Sequence, residues 1–165
     1  MSTSEKINIF WLRRDLRLED NAGLYHALKA EHPVLPLFIF DDNILDDLED
    51  KKDARVEFIH QTLGELADQL KEQGSTILVK KGKPADVWKK LLEAYNIQAV
   101  YTNRDYEPYA RERDQAVKKL LESKDIVFHS FKDHVIFEEN EVLKDDGDPY
   151  VVFTPYSKTW KGKLK

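Results

Sequence analysis

The groups in this chain that could do chemistry are concentrated in two short stretches, LRRDLRLEDN (12–21) and TNRDYEPY (102–109). Each crowds arginines and acids against amide or aromatic side chains, a mixture suited to a polar, ring-bearing ligand or to a lattice of ion pairs. Arg13, Arg14, Asp15, Arg17 and Asp20 can pair with one another to hold a strand-to-helix turn or can face a ligand, and charge density does not choose. Asp41 and Asp42 close the apolar run VLPLFIF (34–40), where tandem acids bind a hydroxyl or cap a turn. Arg55 begins the helix that follows and can meet an anionic ring system or Asp41.

Other chemistries are excluded by what is missing. There is no G-x-G-x-x-G after the first apolar run and no G-x-x-x-x-G-K-[ST], so neither standard phosphate cradle is present. No G-x-S-x-G elbow occurs, and His26, His32, His60, His129 and His134 show no metal-binding spacing. With no cysteine, disulfides, thiolate nucleophiles and thiolate metal sites are all ruled out. No catalytic constellation is left, which points to a binding site.

The elements that must position these groups follow from periodicity. Short β-rich runs, INIFWL (7–12), VLPLFIF (34–40), TILV (76–79), AVYT (99–102) and IVFHSF (126–131), alternate with helical patterns. The alternation predicts a five-stranded, doubly wound, Rossmann-like parallel α/β sheet with helices on both faces. Asp20 and Asn21 are suited to start the first helix. Val56, Ile59, Leu63, Leu66, Ala67 and Leu70 make a helical stripe that Gly74 ends, and Pro84 opens a helix whose apolar face is Val87, Trp88, Leu91, Leu92 and Tyr95. The last of these helices starts near Pro108, with Ala116, Val117, Leu120 and Leu121 inward and Arg111, Arg113, Lys118 and Lys119 outward. EVLKDDGDPYVVF (141–153) reads as a C-terminal β-hairpin around an Asp-Gly turn.

In the strand order 3-2-1-4-5, ligands lie beyond the carboxyl ends of strands 1 and 4, where the winding reverses. Those ends carry the two charged loops. At 165 residues one domain is expected, with a core over about 7–133 and an exit segment over 134–165. The formal charge of −5 argues against a domain that grips nucleic acid by itself. The apolar run at 34–40 is too short to span a membrane, the N-terminus lacks signal-peptide character, and a cytoplasmic location is expected.

FWLRRDLRLEDN (10–21), FIFD (38–41), YTNRDYEPYARERD (101–114) and DPYVVFTPYSKTW (148–160) resemble, in order and spacing, the N-terminal α/β domain of the DNA photolyase and cryptochrome family. The resemblance runs from about Ile7 to Leu164. It implies a parent enzyme, a deoxyribodipyrimidine photo-lyase, in which this domain holds an antenna chromophore that passes excitation to FAD for repair of cyclobutane pyrimidine dimers in DNA. The helical domain that binds FAD and docks damaged DNA is absent from the sequence, so the chain alone is expected to be non-catalytic and monomeric, with Trp11, Trp88 and Trp160 outside any redox chain. The alternative within the family is a cryptochrome photoreceptor domain; outside it stand a nucleotide-binding α/β module and a module that only braces the helical domain.

The resemblance also implies a site. Trp11, Leu12 and Arg13 on the first loop, Asp41 and Arg55 after strand 2, and Asn103, Asp105 and Glu107 after strand 4 match the positions that hold the chromophore in flavin- and deazaflavin-using members. Arg55 would face the anionic ring edge, Asp41 and Asp105 would accept from ring or ribityl groups, and Trp11 and Leu12 would supply apolar wall. Folate-using members place a carboxylate where Ala110 stands, and some deazaflavin binders have a histidine where Leu12 stands. Flavin or deazaflavin is thereby favoured over folate.

Overall fold

The computed structural model describes residues 5–50 and 53–164. The N-terminal residues 1–4, read above for signal-peptide character, lie outside the described residues. The chain falls into two compact units that meet at Asp133 and His134. Among the described residues no helix is long and apolar enough to cross a membrane.

In the first unit strands alternate with helices: β1 (Lys6–Leu12), α1 (Ala22–Leu28), β2 (Val34–Asp41), α2 (Asp42–Leu45), α3 (Ala54–Glu72), β3 (Leu78–Gly82), α4 (Pro84–Ala94), β4 (Asn96–Asn103), α5 (Pro108–Glu122) and β5 (Val127–Phe131). The strands form one sheet in the order β3-β2-β1-β4-β5, every pair parallel. Central β1 is buried almost throughout, so its side chains alternate between two cores, not between core and water. Ile9 and Trp11 join Leu37, Trp88, Val100, Val117 and Leu121 beneath α4 and α5. Phe10 and Leu12 join Leu24, Ala27, Phe38 and Leu63 beneath α1 and α3. Trp11 and Trp88 meet edge to face, ring centroids 5.4 Å apart, and fix α4 on the sheet.

The helix ends follow local chemistry. Asn21 caps α1, its side-chain oxygen accepting from Leu24 N at 3.1 Å, and Asp53 caps α3 by accepting from Arg55 N at 2.8 Å. Gly74 ends α3 at φ 73°, a left-handed conformation that side chains disfavour. Pro84 and Pro108 open α4 and α5. Gly23 is required by close approach: a Cβ there would lie 2.8 Å from both Asn103 Oδ1 and Phe10 Cε2.

Three expectations need correction. Strand β3 covers 78–82, not 76–79, because Lys80 and Lys81 are part of an edge strand, where exposed lysines are compatible with pairing and hide its pattern. On α5, Arg113 points inward and Ala116 outward, since Arg113, Val117 and Leu121 are spaced by four and share the buried face. The β-hairpin does not form. In the second unit the Asp-Gly turn is present, with Gly147 at φ 86° and its N–H donating to Lys144 O at 2.9 Å, but no described residue flanking it is in a strand. Val152 instead becomes the N-cap of a helix α6 (Phe153–Lys163), with Pro155 inside its first turn, where a missing N–H is tolerated. Tyr150 bonds Thr159 at 2.9 Å, and Phe137 packs edge to face on Trp160.

Candidate functional site

At the carboxyl ends of β1, β2 and β4 the first unit contains a cavity of about 350 Å³. Its wall includes Trp11 at the end of β1, Phe38 and Asp41 on β2, Arg55 and Ile59 on α3, and Tyr109, Ala110 and Arg113 on α5. Of the eight residues singled out from the sequence, Trp11, Arg13, Asp41, Arg55, Asp105 and Glu107 line it. Leu12 and Asn103 do not. Leu12 alternates to the opposite face of β1 and is fully buried beneath α1. Asn103 is a structural joint: its amide nitrogen donates to Asp15 Oδ2 at 2.6 Å and Asn21 Oδ1 at 2.9 Å, and its oxygen accepts from Gly23 N at 2.8 Å.

That joint explains the charge density of the first loop. Asp15 is buried, accepts from Arg13 N at 2.9 Å and from Asn103, and so folds the loop onto β4. Arg17 reaches Asp133 at 2.7 Å, and Arg14 reaches Glu107 at 2.6 Å and Asp105 at 3.7 Å. The hydrogen bond from Arg14 to Glu107 raises the Arg14 guanidinium pKa. Arg17 and Asp15 act as turn-holding groups, whereas Arg13 and Arg14 also border the cavity.

Beneath the cavity two guanidiniums share one carboxylate. Arg13 and Arg113, 7% and 8% exposed, both pair with Asp114, Arg113 through Nε at 3.0 Å. Both lie against the Trp11 ring, 5.1 Å from its centroid. Burial lowers the Arg13 pKa, Asp114 opposes the shift, and Arg113 adds to it. Arg113 Nη2 sits 3.0 Å from Asp114 Oδ1, an ion-pair distance, but forms no aligned hydrogen bond.

In the structure Asp41 and Arg55 both have partners within the chain. Asp41 caps α2 by accepting from Asn43 N at 3.0 Å and also accepts from the Tyr109 hydroxyl at 2.5 Å. Arg55 turns back on Asp53 instead of Asp41, with Nε–Oδ1 at 2.9 Å and Nη2–Oδ2 at 2.6 Å, which holds the Asp53 carboxyl down at about 2. The residues the sequence reading missed are Tyr109 and Arg113. The four-residue spacing from Val117 was the available signal for Arg113.

Chemically the cavity offers an aromatic floor, guanidinium donors and carboxylate acceptors, enough to hold and orient a planar polar ring. Residues 8–165 match the family model described as DNA photolyase. A deoxyribodipyrimidine photo-lyase of a Synechococcus strain is 35% identical over 157 residues, covering 95% of this chain and 32% of that protein. Cryptochrome-1 of Anopheles gambiae is 32% identical over 86% of the chain and 27% of its own length. The chain therefore spans about a third or less of these relatives. Among solved structures, an archaeal photolyase from Sulfolobus tokodaii, described as holding two FAD molecules with the implication of a novel light-harvesting cofactor, aligns with a TM-score of 0.77 at 31% identity, over 92% of this chain and 34% of that one. A class III photolyase from Agrobacterium tumefaciens aligns with a TM-score of 0.84 at 26% identity, over 98% and 33%. A sheet in the order 3-2-1-4-5, charged loops at its winding reversal and a match across nearly the whole length agree: the chain belongs to the DNA photolyase family, as its N-terminal α/β domain.

Proposed function

We propose that this domain holds the antenna chromophore of a light-driven DNA-repair enzyme, a flavin or deazaflavin whose excitation passes to FAD in a helical domain of the parent protein. The observation that carries this reading is the 350 Å³ cavity at the winding reversal, with Trp11 in its wall and arginine and carboxylate groups around it. Ligand pockets run from roughly 300 to 1,000 Å³, so the volume suits one ring system. The helix position where folate-using relatives carry a carboxylate is Ala110, which lines the cavity and is buried, so a folate finds no acceptor there.

The roles follow from the donors and acceptors. Trp11 supplies a flat wall, Asp41 and Asp105 accept from ring N–H or ribityl hydroxyl groups, and Arg55 meets the electron-rich ring edge. Arg55 can leave Asp53 readily, since its own side chain lies largely in water, which screens the pair and can take over its hydrogen bonds. Arg13, Arg14 and Glu107 shape the rim. Catalysis, as splitting of cyclobutane pyrimidine dimers by photoexcited FAD, belongs to the parent enzyme, and the helical domain and damaged DNA are its partners. The domain itself is a monomer that contacts DNA only through that helical domain. A cryptochrome photoreceptor is the second reading, favoured by the resemblance to the Anopheles protein.

The test is riboflavin titration of the wild type and of Arg55→Ala and Asp105→Ala, followed by fluorescence. Each substitution is expected to weaken binding about tenfold while shifting Tm by only a few degrees. Unchanged affinity in both variants would remove these residues from the site.

A further inference from the structure

Tyr109 forms a shared wall between two cavities. On one side is the 350 Å³ cavity; on the other is a space of about 270 Å³ between α4 and α5, lined by Ala85, Ala116 and Val117 together with the charged Lys83, Asp86 and Glu112, and Pro84, Tyr109 and Arg113 border both. The phenol ring lies near the Arg113 guanidinium, 5.9 Å from Cζ to the ring centroid. Its hydroxyl donates to Asp41 Oδ2 at 2.5 Å and accepts from Asn43 Nδ2 at 3.0 Å. Tyr109 is only partly buried, and it occupies the first turn of α5, where a side chain can swing without disturbing the buried stripe of Val117 and Leu121.

Arg113 has a reason to take a different neighbour. Its side chain is 8% exposed, it shares Asp114 with Arg13, and its Nη2 donor makes no hydrogen bond. A guanidinium in that position attracts an aromatic face or a hydrogen-bond acceptor. The phenol therefore marks out the chemistry its place recognises: an aromatic ring over Arg113, with an N–H or O–H donor directed at Asp41.

We propose that Tyr109 is a displaceable plug that sets the size and ring chemistry the crevice accepts. A planar heteroaromatic with an N–H or O–H donor on one edge replaces the phenol over Arg113, donates to Asp41, and gains the space between α4 and α5 behind it. The inference rests on the antenna reading of this same cavity, and adds that the wall must move for the ring to seat fully.

The sign of a mutational effect separates a plug from a binding wall. Riboflavin and lumichrome, which share the tricyclic ring and differ in the ribityl chain, are titrated against wild type, Tyr109→Ala and Tyr109→Phe, with circular dichroism as the check on folding. A plug predicts that Tyr109→Ala tightens both ligands about tenfold and that Tyr109→Phe, which keeps the ring but loses the hydroxyl's bonds to Asp41 and Asn43, speeds association severalfold. Weaker or unchanged binding in Tyr109→Ala, with the wild type still binding, overturns the plug and leaves the antenna reading in place. Failure of every variant to bind either ring overturns both. Should Tyr109→Ala not fold, Tyr109→Phe still decides: an association rate equal to that of the wild type counts against the plug.

Discussion

Two carboxylates hold arginines of the crevice wall, Asp53 pairing with Arg55 and Asp114 with Arg13 and Arg113. Asp53 is held near 2 by the Arg55 side chain, from an ordinary value of 3.8. A depressed carboxyl contributes stability above its unfolded value and loses it as pH falls through its folded one, so the contribution is complete above about pH 4 and fades toward pH 2. Carboxyl NMR of Arg55→Ala should show the Asp53 midpoint rising toward 3.8 but stopping short, since the amide of residue 55 still donates. A midpoint still near 2 would show that the guanidinium is not the cause. Asp114 is a partly buried anion serving two buried cations. Its replacement by alanine leaves both guanidiniums uncompensated, a defect that costs about 3–5 kcal/mol. Urea denaturation should find that loss; a change below about 1 kcal/mol would mean the arginines do not depend on it.

Gly23 at the start of α1 ties helix to sheet through the close approach of Asn103 and Phe10. Gly23→Ala forces a Cβ into a space that the backbone carbon of Thr102, 3.2 Å away, helps to close, so the neighbours cannot simply rotate aside. Overpacking of this kind costs about 1–3 kcal/mol, and thermal melting should show it. A Tm equal to that of the wild type would mean that α1 moves freely over β4. The same elements show how far sequence alone reaches. Helices α3 to α5 were readable because apolar period and proline or glycine punctuation agreed along each, while the strand order followed from the commonest doubly wound arrangement and not from any residue. Strand β3 was blurred by its lysines, and the hairpin was expected from residues that are separately strand-formers, whereas Val152 and Phe153 instead cap and open α6. Leu12 and Asn103 matched the family's positions, yet alternation along β1 and a buried amide joint turn them away from the cavity. Tyr109 was missed since nothing in its local pattern tells a phenol that spans a crevice from one that faces solvent.

The chain carries a net charge of −5, and its first unit holds a crevice at the winding reversal of the sheet. The proposed antenna role asks this domain to bind a chromophore, and an acidic chain is poorly suited to gripping phosphates by itself. A mobility-shift assay with duplexes containing a pyrimidine dimer should therefore show no lesion-specific retention by this chain; salt-resistant, specific retention would assign it a DNA surface of its own. The central claim is that the crevice holds a flavin-type ring. It is tested most directly by incubating the chain with FMN, a deazaflavin and a reduced folate in turn, desalting, and recording absorption and fluorescence. The account predicts that FMN or the deazaflavin stays with the protein, its spectrum shifted or its emission quenched by Trp11, while the folate is removed. Retention of the folate alone, or of none of the three, would contradict it.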